Sequence, residues 1–347
     1  MSPALLPHQA LEALARECLP EAVFAYFAGG SGSESTLADN TAAWARLRLR
    51  PRVLRDVSRV DTSTALLGTP LSSPILVAPT AFHSLAHPEA EFATARGTRE
   101  AGSLLVLSSR SSRRIEDVAA AAGPWWFQVY VFRDRGLTRD LVQRAAASGA
   151  RALVLTADTP YVGRKRTNRD DSALPLPEQD FLANLQGLTH RALAEQAPDV
   201  TFDDISRLQA DSGLPVLVKG VLRADDAREC LRHGAAGLIV SNHGGRQLDG
   251  ALATADALPE VVEACEGRVP VLVDGGVRTG RDVLCALALG ARAVLLGRPV
   301  LWGLATAGAD GVRQVLDSLR EDTAHALALA GAPGLSAVGA ELLAPRR

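Results

Sequence analysis

Residues 215–243 read PVLVKGVLRADDARECLRHGAAGLIVSNH and contain two apolar runs with a helical segment between them. The runs PVLVKG (215–220) and GLIVSNH (237–243) stay apolar almost to their ends, which is typical of parallel strands buried on both faces. The segment ADDARECLRHGA (224–235) has the character of a helix that connects two such strands. This stretch therefore predicts a strand–helix–strand unit.

The same unit recurs along most of the chain. Eight apolar runs are present, namely PILVAPT (74–80), SLLVLSS (103–109), WWFQVYV (125–131), ALVLTAD (152–158), PVLVKG, GLIVSNH, PVLVDGG (270–276) and RAVLLGR (292–298). Helical stretches lie between them, such as PEAEFATARGTREAG (88–102), LTRDLVQRAAASGA (137–150) and TGRDVLCALALGA (279–291). Eight such units predict an α/β fold, a closed (β/α)8 barrel, more readily than an open sheet.

The order of these elements predicts a single domain, residues 1–347, in three parts. Residues 1–73 form an N-terminal cap, residues 74–308 the barrel, and residues 309–347 a C-terminal helix and tail. Successive runs begin about 25 residues apart, but roughly 60 residues separate the fourth run from the fifth. An insert over about 164–200 is therefore predicted on the rim of the barrel, where it is placed to act as a lid.

The two ends of the chain have patterns of their own. Residues 9–30 predict two helices broken at Pro20, and residues 46–60, RLRLRPRVLRDVSRV, alternate like an exposed strand. Residues 309–331 space their apolar side chains helically and end in glycine, which predicts a helix that closes the barrel.

Composition excludes several classes of protein. The 347 residues carry a formal charge of −2, which provides no field to hold a phosphate backbone, so we expect no nucleic-acid partner. The four cysteines are widely spaced without a CxxC pair, which argues against a disulfide scaffold and a metal site. Because neither a secretory signal nor a run of 18 apolar residues is visible, we expect no membrane span and a cytoplasmic location.

Side chains capable of chemistry gather where the predicted strands end. In a parallel barrel the C-terminal strand ends and the loops after them form the active face. These positions carry Thr80, Ser108, Gln128, Tyr130, Thr156, Asp158, Lys219, His243, Arg246, Asp274, Arg278 and Arg298. Packing does not explain a polar set on one rim, so we expect the functional site there.

The densest segment is SNHGGRQLDG, residues 241–250. Its glycines permit close backbone approach, so His243 and Arg246 can converge on one small ligand. Imidazole takes up a proton near neutral pH, and guanidinium offers a planar fork for a carboxylate. A base beside a carboxylate anchor indicates chemistry at the carbon next to a carboxylate.

A second predicted site lies in DGGVRTG (274–280) and LLGRP (295–299), at the ends of the last two strands. Barrels often bind a phosphate there through glycine N–H groups and a helix N-terminus. Lys219 points a cation into the rim, either as a Schiff-base nucleophile or as a group that stabilises a cofactor ring. Neither a GxGxxG sequence after a strand nor a P-loop occurs, which disfavours nicotinamide on a Rossmann domain and P-loop nucleotides.

These motifs together resemble one family. SNHGGRQLDG, VLVKGVLRADDA, VDGGVRTGRDVLCALALGA, LLGRP, APTAFHSLAHPEAE, FQVYVFRDR and LTADTP are similar, in collinear order, to segments of the FMN-dependent α-hydroxy acid oxidases and dehydrogenases. That family includes glycolate oxidase, lactate oxidase, mandelate dehydrogenase and hydroxymandelate oxidase. The similarity runs from about Tyr26 to Pro299, and SNHGGRQLD is highly specific to the family.

The resemblance implies a role for each matching position. His243 is the active-site base, with Asp158 orienting its ring, and Arg246 pairs with the substrate carboxylate. Tyr26 and Tyr130 contact the substrate, and Tyr130 takes part in catalysis. The remaining positions hold FMN: Pro79, Thr80, Ala81, Ser108, Gln128 and Thr156 line the ring, Lys219 and Ser241 lie near its N1–C2=O edge, Asp274 holds the ribityl chain, and Gly275, Gly276, Arg278, Gly297 and Arg298 hold the phosphate.

Three positions that contribute to substrate binding depart from the family pattern or extend it. Lys165 stands where most members supply a second arginine, so the charge is kept but the fork is lost unless Arg164 or Arg166 replaces it. Arg110 stands where relatives often have an aromatic or apolar residue; it either meets a second acidic or polar group of the substrate or lies on the surface. Phe82 suggests an aromatic pocket wall.

The expected activity is oxidation of an L-2-hydroxy acid to the 2-keto acid by an FMN-dependent (S)-2-hydroxy-acid oxidase or dehydrogenase. His243 takes either the hydroxyl proton as hydride leaves the α-carbon, or the α-proton to form a carbanion. Oxygen or another electron acceptor reoxidises the flavin, and the resemblance implies a homo-oligomer, a tetramer. Two alternatives stay open at this point: a non-redox FMN barrel isomerase, and a flavin- or metabolite-binding protein with lost catalysis.

Overall fold

A computed structural model describes residues 8–165, 174–185 and 195–345. Two short strands, β1 (Thr64–Leu66) and β2 (Thr69–Leu71), form an antiparallel hairpin. Eight parallel strands follow, namely β3 (Ile75–Val77), β4 (Leu105–Ser108), β5 (Trp125–Val129), β6 (Leu153–Thr156), β7 (Val216–Val221), β8 (Gly237–Val240), β9 (Val271–Val273) and β10 (Ala293–Leu296). They close in the order β10-β3-β4-β5-β6-β7-β8-β9, so the predicted (β/α)8 barrel is confirmed.

Helices surround the barrel. They are α1 (His8–Cys18), α2 (Glu21–Ala28), α3 (Ser35–Arg46), α4 (Ala90–Glu100), α5 (Ile115–Ala121), α6 (Arg135–Ala147), α7 (Glu178–Phe181), α8 (Asp203–Ser212), α9 (Ala224–Arg232), α10 (Thr254–Cys265), α11 (Gly280–Ala288) and α12 (Arg298–Leu329). Short 3-10 turns lie at His83–Leu85, Leu335–Ala337 and Ala340–Leu342. No described helix combines the length and the apolar character needed to span a bilayer.

Successive residues of each strand point in turn toward the barrel interior and toward the surrounding helices, because side chains alternate along a strand. The apolar cluster inside the barrel, here called the interior layer, contains a residue from every barrel strand, namely Leu76, Val106, Trp126, Val154, Leu217, Ile239, Leu272 and Leu295. Their sequence neighbours, such as Val77, Phe127 and Val218, pack in the larger cluster that includes helix residues. The nearly continuous apolar runs therefore reflect strands that are buried on both sides.

The N-terminal cap differs in part from its sequence pattern. The break at Pro20 between two helices is confirmed by α1 and α2, while α3 and the β1–β2 hairpin lacked a clear signal. The exposed strand predicted over residues 46–60 is wrong. Alternating burial holds only as far as Arg50, the residue before Pro51, and Leu49 forms a single bridge, to Leu343. Proline has no N–H for a strand ladder, and the chain beyond it is irregular.

The C-terminal helix predicted over residues 309–331 is present as the second part of α12. This long helix bends at Ala307 and Gly308, where the φ and ψ angles are not helical. The bend folds the helix back on itself, so Gly303 and Gly311 meet. A Cβ atom added at Gly311 would lie 1.9 Å from the carbonyl oxygen of Gly303, so only glycine fits there.

Replacing Gly311 by alanine is therefore expected to lower the free energy of unfolding by about 1–3 kcal/mol, because the two backbones must separate. Urea denaturation followed by circular dichroism measures this change. Gly123→Ala is the matched control, since its added Cβ would meet mainly the flexible side chain of Arg99, at 3.1 Å. Equal stabilities of the two variants would contradict the close contact.

Candidate active site

A layer of polar side chains lies directly above the apolar interior layer of the barrel. Each member stands two residues beyond an interior apolar residue of its strand, and so faces the same way. The layer consists of Ser108, Gln128, Thr156, Lys219, Ser241 and Asp274. Ser108 Oγ donates a hydrogen bond to Gln128 Oε1 (3.1 Å), and Gln128 Nε2 donates to Thr156 Oγ1 (2.9 Å). These bonds fix the orientation of the Gln128 amide.

A cavity of about 370 Å³ opens above this layer, within the size range of small-molecule sites. The predicted residues that line it are Tyr26, Pro79, Thr80, Ala81, Phe82, Ser108, Arg110, Tyr130, Lys165, Lys219, His243, Arg246, Asp274, Gly275, Gly276, Arg278, Gly297 and Arg298. Four others lie behind the wall and bond to residues that line it: Asp158 to His243, Ser241 to Lys219, and Thr156, through Gln128, to Ser108.

Further lining residues were not singled out from the sequence. They include Phe27, Thr159, Val162, Phe181, Gln196, Gly244, Gln247 and Leu301. Gly244 and Gln247 belong to the SNHGGRQLDG segment, so its density of polar residues was a usable signal. Phe181 and Gln196 come from the insert after β6, where the sequence offers no periodicity that places a side chain.

His243 is held by its backbone and by one ring nitrogen. Its φ of 58° is in the left-handed region, and Gly244 and Gly245 continue that conformation. The ring atom Nδ1 lies 3.1 Å from Asp158 Oδ1, and the backbone N–H donates to Ser241 Oγ. A carboxylate can only accept, so Nδ1 carries the proton, and in the neutral ring Nε2 has the lone pair.

The carboxylate of Asp158 stays ionised beside His243. Burial alone would raise its pKa, but the charge of His243 and the hydrogen bond from it bring the pKa below its ordinary value, with a contribution from Lys219. Gly220 lies against Asp158 with a φ of +112°, and a Cβ there would be 2.7 Å from Asp158 Cβ. The close approach of β7 therefore depends on this glycine.

Arg246 reaches the C-terminal end of α2, where helix carbonyls form a partly negative site. Its Nη1 donates to the carbonyl oxygens of Tyr26 (2.7 Å) and Gly29 (2.9 Å). Among the described residues neither Nε nor Nη2 of Arg246 has a hydrogen bond, which leaves donors for a ligand in the cavity. The guanidinium carbon also lies 5.1 Å from the ring centre of Tyr26.

Lys165 approaches the same tyrosine. It is buried, and its Nζ lies 4.9 Å from the ring centre of Tyr26. Its backbone bridges to Ser31, and the neighbouring carbonyl of Arg164 accepts from Gly32. The ammonium group therefore lies on the same side of the cavity as Arg246, whereas Arg166 falls outside the described residues.

Lys219 forms a buried ion pair in the polar layer. Its Nζ lies 3.0 Å from Asp274 Oδ2 and donates to Ser241 Oγ at 2.7 Å. The second oxygen of this carboxylate, Asp274 Oδ1, is buried without a hydrogen-bond partner among the described residues. A buried acceptor of this kind suits a hydroxyl group of a ligand.

Guanidinium groups gather at the other end of the cavity. Arg298 donates to the carbonyl oxygens of Phe27, Gly29 and Gly244. Burial, together with the positive charges of Arg246 and Arg278, lowers the pKa of Arg298 to about 9. An anion between these cations removes their repulsion. Within the described residues no three metal-binding side chains come together.

His83 lies behind the wall, next to Thr80. Its Nε2 is 2.6 Å from Thr80 Oγ1, and its Nδ1 is 2.9 Å from Thr94 Oγ1. Glu91 Oε1 accepts from the backbone N–H of His83. Burial lowers the pKa of His83 from 6.5, an effect that the charge of Glu91 opposes in part. The neutral ring therefore orients a hydroxyl group of the cavity wall.

Comparisons with known proteins point to one group of enzymes. A family model described as FMN-dependent dehydrogenase matches residues 15–345. The chain is 45% identical to an L-lactate oxidase of Nostoc sp. (96% of each chain) and 43% identical to a glycolate oxidase of Spinacia oleracea (94% of this chain, 92% of the relative). A mandelate oxidase structure with (S)-4-hydroxymandelic acid has a TM-score of 0.91 and 44% identity, covering 97% of this chain and 98% of the other.

The burial of His83 has a measurable consequence for stability. Below pH 6.5 the unfolded chain takes up a proton on this residue while the folded chain does not, so the free energy of unfolding falls as the pH falls. One proton contributes at most about 1.4 kcal/mol per pH unit. His83→Gln removes this part of the slope.

Denaturant unfolding of both proteins at several values between pH 8 and pH 5 measures the effect. At pH values above the ordinary histidine pKa, the difference in free energy of unfolding between wild type and His83→Gln is expected to be constant. At lower pH, the free energy of unfolding of the wild type should fall more steeply than that of His83→Gln. Parallel curves over the whole range would show that the buried ring takes up protons in the folded state.

Proposed function

The chain belongs to the FMN-dependent dehydrogenase family, and from this membership and the geometry of the cavity we propose that it oxidises L-2-hydroxy acids to 2-keto acids. The observation that carries the proposal is the pair of side chains in one cavity, His243 with a basic Nε2 and Arg246 with donors for a carboxylate. Relatives named as lactate, glycolate and mandelate oxidases support the same reaction.

The cavity residues fit FMN. Arg278 and Arg298 supply the positive charge that a phosphate requires, and the left-handed backbone at Gly276 brings the loop after β9 close to it. Asp274 Oδ1, a buried acceptor, suits a ribityl hydroxyl group. We assign the ring to the polar layer, with Lys219 at one edge. When bound, FMN supplies the acceptor for two electrons.

The residues of the chain perform the remaining tasks. Arg246, with Lys165 beside it, binds the substrate carboxylate and so fixes the α-carbon. Nε2 of His243 takes up a proton from the substrate, and the ionised Asp158 stabilises the imidazolium that results. Burial raises the pKa of Tyr130 above its ordinary value, so its hydroxyl stays protonated and donates a hydrogen bond to the substrate.

The two alternative functions lack support. A non-redox isomerase is not supported, because the relatives named here are oxidases. A binding protein with lost catalysis would not need an oriented base, but Asp158 and Ser241 hold His243 in place. The names of these relatives also support oxygen as the electron acceptor.

A homo-oligomer and a cytoplasmic location stay predictions. Tyr161, Val162 and Leu248 are exposed apolar side chains. Their two segments are joined by a hydrogen bond from Gln247 Nε2 to the carbonyl oxygen of Tyr161. Such a patch supports association. Similar proteins include one named as a peroxisomal (S)-2-hydroxy-acid oxidase of Oryza sativa, so location varies within the family. Light scattering of the purified protein measures the number of subunits.

The reaction is tested with the FMN-loaded protein and a panel of L-2-hydroxy acids. Without air, a substrate is expected to bleach the flavin absorption near 450 nm, roughly one equivalent per flavin. In air, turnover is expected to form hydrogen peroxide. A fully loaded protein whose flavin no 2-hydroxy acid bleaches would overturn the proposal.

Replacing His243 by alanine is expected to leave FMN bound but to slow flavin reduction by about 10²–10⁴-fold, because the base is lost. Stopped-flow absorbance measures the rate constant, and the absorption spectrum measures bound flavin. His325→Ala, at an exposed position of α12, is the control and should reduce its flavin at the wild-type rate. Wild-type reduction in His243→Ala would refute the role of the base.

A further inference from the structure

One face of α3 carries polar side chains that hydrogen-bond to the loops after β8 and β9. Thr36, Asn40 and Trp44 are four residues apart, so they lie along the same side of the helix. Thr36 Oγ1 donates to the carbonyl oxygen of Ala251, and Trp44 Nε1 donates to that of Gly275. Asn40 lies between them and reaches the start of the SNHGGRQLDG segment. Side chains of one helix of the N-terminal cap therefore hold both loops.

Asn40 and Asn242 form a reciprocal pair of amides. Asn40 Nδ2 donates to Asn242 Oδ1 at 2.8 Å, and Asn242 Nδ2 donates to Asn40 Oδ1 at 2.7 Å. Both residues are buried, at 1% and 5% exposure. Asn242 Nδ2 also donates to the carbonyl oxygen of Leu252, and Asn40 Oδ1 also accepts from the N–H of Thr254. Because buried amides need hydrogen-bond partners, these two outside bonds leave one orientation in which both amides are satisfied.

Asn242 closes the turn that carries His243. The N–H of Gly245 donates to both oxygens of Asn242, the carbonyl oxygen at 3.0 Å and Oδ1 at 3.2 Å. His243 lies between them with a φ of 58°, and Gly244 and Gly245 are also left-handed. A left-handed backbone costs free energy in a residue with a side chain, so it persists only where the surroundings enforce it. The two hydrogen bonds from Gly245 are such a restraint.

Asn40 determines which way the amide of Asn242 points. Rotating that amide by half a turn would place Nδ2 opposite the N–H of Gly245, so that two donors face each other and a hydrogen bond is lost. The donor of Asn40 at Asn242 Oδ1, together with its acceptor at Asn242 Nδ2, opposes this rotation. Asn40 is not among the described residues that line the cavity, so its influence on the turn passes through Asn242.

We propose that Asn40 is a positioning residue for the oxidation: through its amide pair with Asn242 it fixes the turn of residues 242–245, and with it the direction in which His243 presents Nε2. This inference rests on the proposed function and adds to it a contribution from the N-terminal cap. Asp158 holds one ring nitrogen of His243, while Asn40 holds the backbone from which the ring extends. Both restraints are needed, because a displaced backbone would tilt a ring whose Nδ1 stays at Asp158, and proton transfer is sensitive to such a displacement.

The test replaces Asn40 by leucine, which has a similar size but makes none of its side-chain hydrogen bonds. The rate constant for reduction of bound flavin at saturating L-2-hydroxy acid is expected to fall by about 10- to 100-fold, because the base is displaced. The substrate concentration at half-maximal rate is expected to change by less than about threefold, since Arg246 keeps its bonds to the end of α2. Stopped-flow absorbance of the FMN-loaded protein measures both quantities, and the flavin spectrum measures how much FMN is bound.

Thr36→Val is the matched control, since Thr36 is buried in the same helix and valine has nearly the same shape. This variant loses the bonds of Thr36 Oγ1 with Gly250 and Ala251, which lie beyond the turn. Its free energy of unfolding in urea should fall, as in Asn40→Leu, but its rate constant for flavin reduction should equal that of the wild type. A fall of the same size in both rate constants would assign the effect to α3 as a whole and contradict the proposal.

Further variants test whether the effect passes through Asn242. If it does, adding Asn40→Leu to Asn242→Leu should change the rate constant by no more than about twofold, because the partner is already lost. A second loss of about 10-fold in the double variant would show that Asn40 acts by another route, and the proposal would fail. Asn40→Ser loses the same amide pair with a smaller side chain, so its rate constant should also fall, and it replaces Asn40→Leu in every comparison if the leucine variant does not fold.

Amide hydrogen exchange provides a readout that does not require turnover. In Asn40→Leu the N–H of Gly245 is expected to exchange at least about 10-fold faster than in the wild type, because the amide of Asn242 is no longer held in place to accept from it. In Thr36→Val the N–H of Gly250, which donates to Thr36 Oγ1, should exchange faster instead. Unchanged exchange at Gly245, or an unchanged rate constant in Asn40→Leu, would refute the positioning role and leave the proposed function intact. If no hydroxy acid bleaches the flavin of the wild type, the proposed function fails, and exchange at Gly245 still decides whether Asn40 holds the turn.

Discussion

A closed parallel barrel lets only every second residue of a strand point inward, and the site depends on this constraint. Leu217 faces the interior as part of an apolar layer, and Lys219, two residues later, enters the polar layer above it. The same step relates Leu272 to Asp274 on β9, which β8 separates from β7 in the barrel. Closure of the barrel brings the C-terminal ends of the strands together. The hydrogen bonds and the ion pair of the site form between side chains at these ends.

One helix end connects the two halves of the cavity. The carbonyl of Gly29, after α2, accepts hydrogen bonds from both Arg246 and Arg298. Arg246 is proposed to bind the substrate carboxylate and Arg298 to hold the phosphate, so a shift of α2 would disturb both anchors together. The N-terminal cap is therefore part of the site, and the closeness of Asn40 to Gly276 fastens α3 to the same rim.

The sequence allowed prediction of features that depend on local pattern. Eight apolar runs indicated the barrel strands, and a run that ends in a polar residue, such as PVLVKG, located Lys219 correctly on the rim. Features that depend on a distant partner could not be found this way. Residues 46–60 alternate like a strand but have no sheet to join, and the contact between Phe181 and Arg110 joins segments far apart in the chain. The sequence therefore did not decide whether Arg110 faces solvent or the cavity, whereas the structure shows it in the cavity wall.

The buried pair of Lys219 and Asp274 has a consequence for how the holoprotein assembles. Each side chain neutralises the other within the polypeptide, so the polar layer carries no uncompensated charge at that edge before a flavin arrives. The charge balance at this edge therefore does not depend on a ligand. Flavin analogues with altered rings but an unchanged phosphate tail are therefore expected to bind without disturbing the charge balance at this edge.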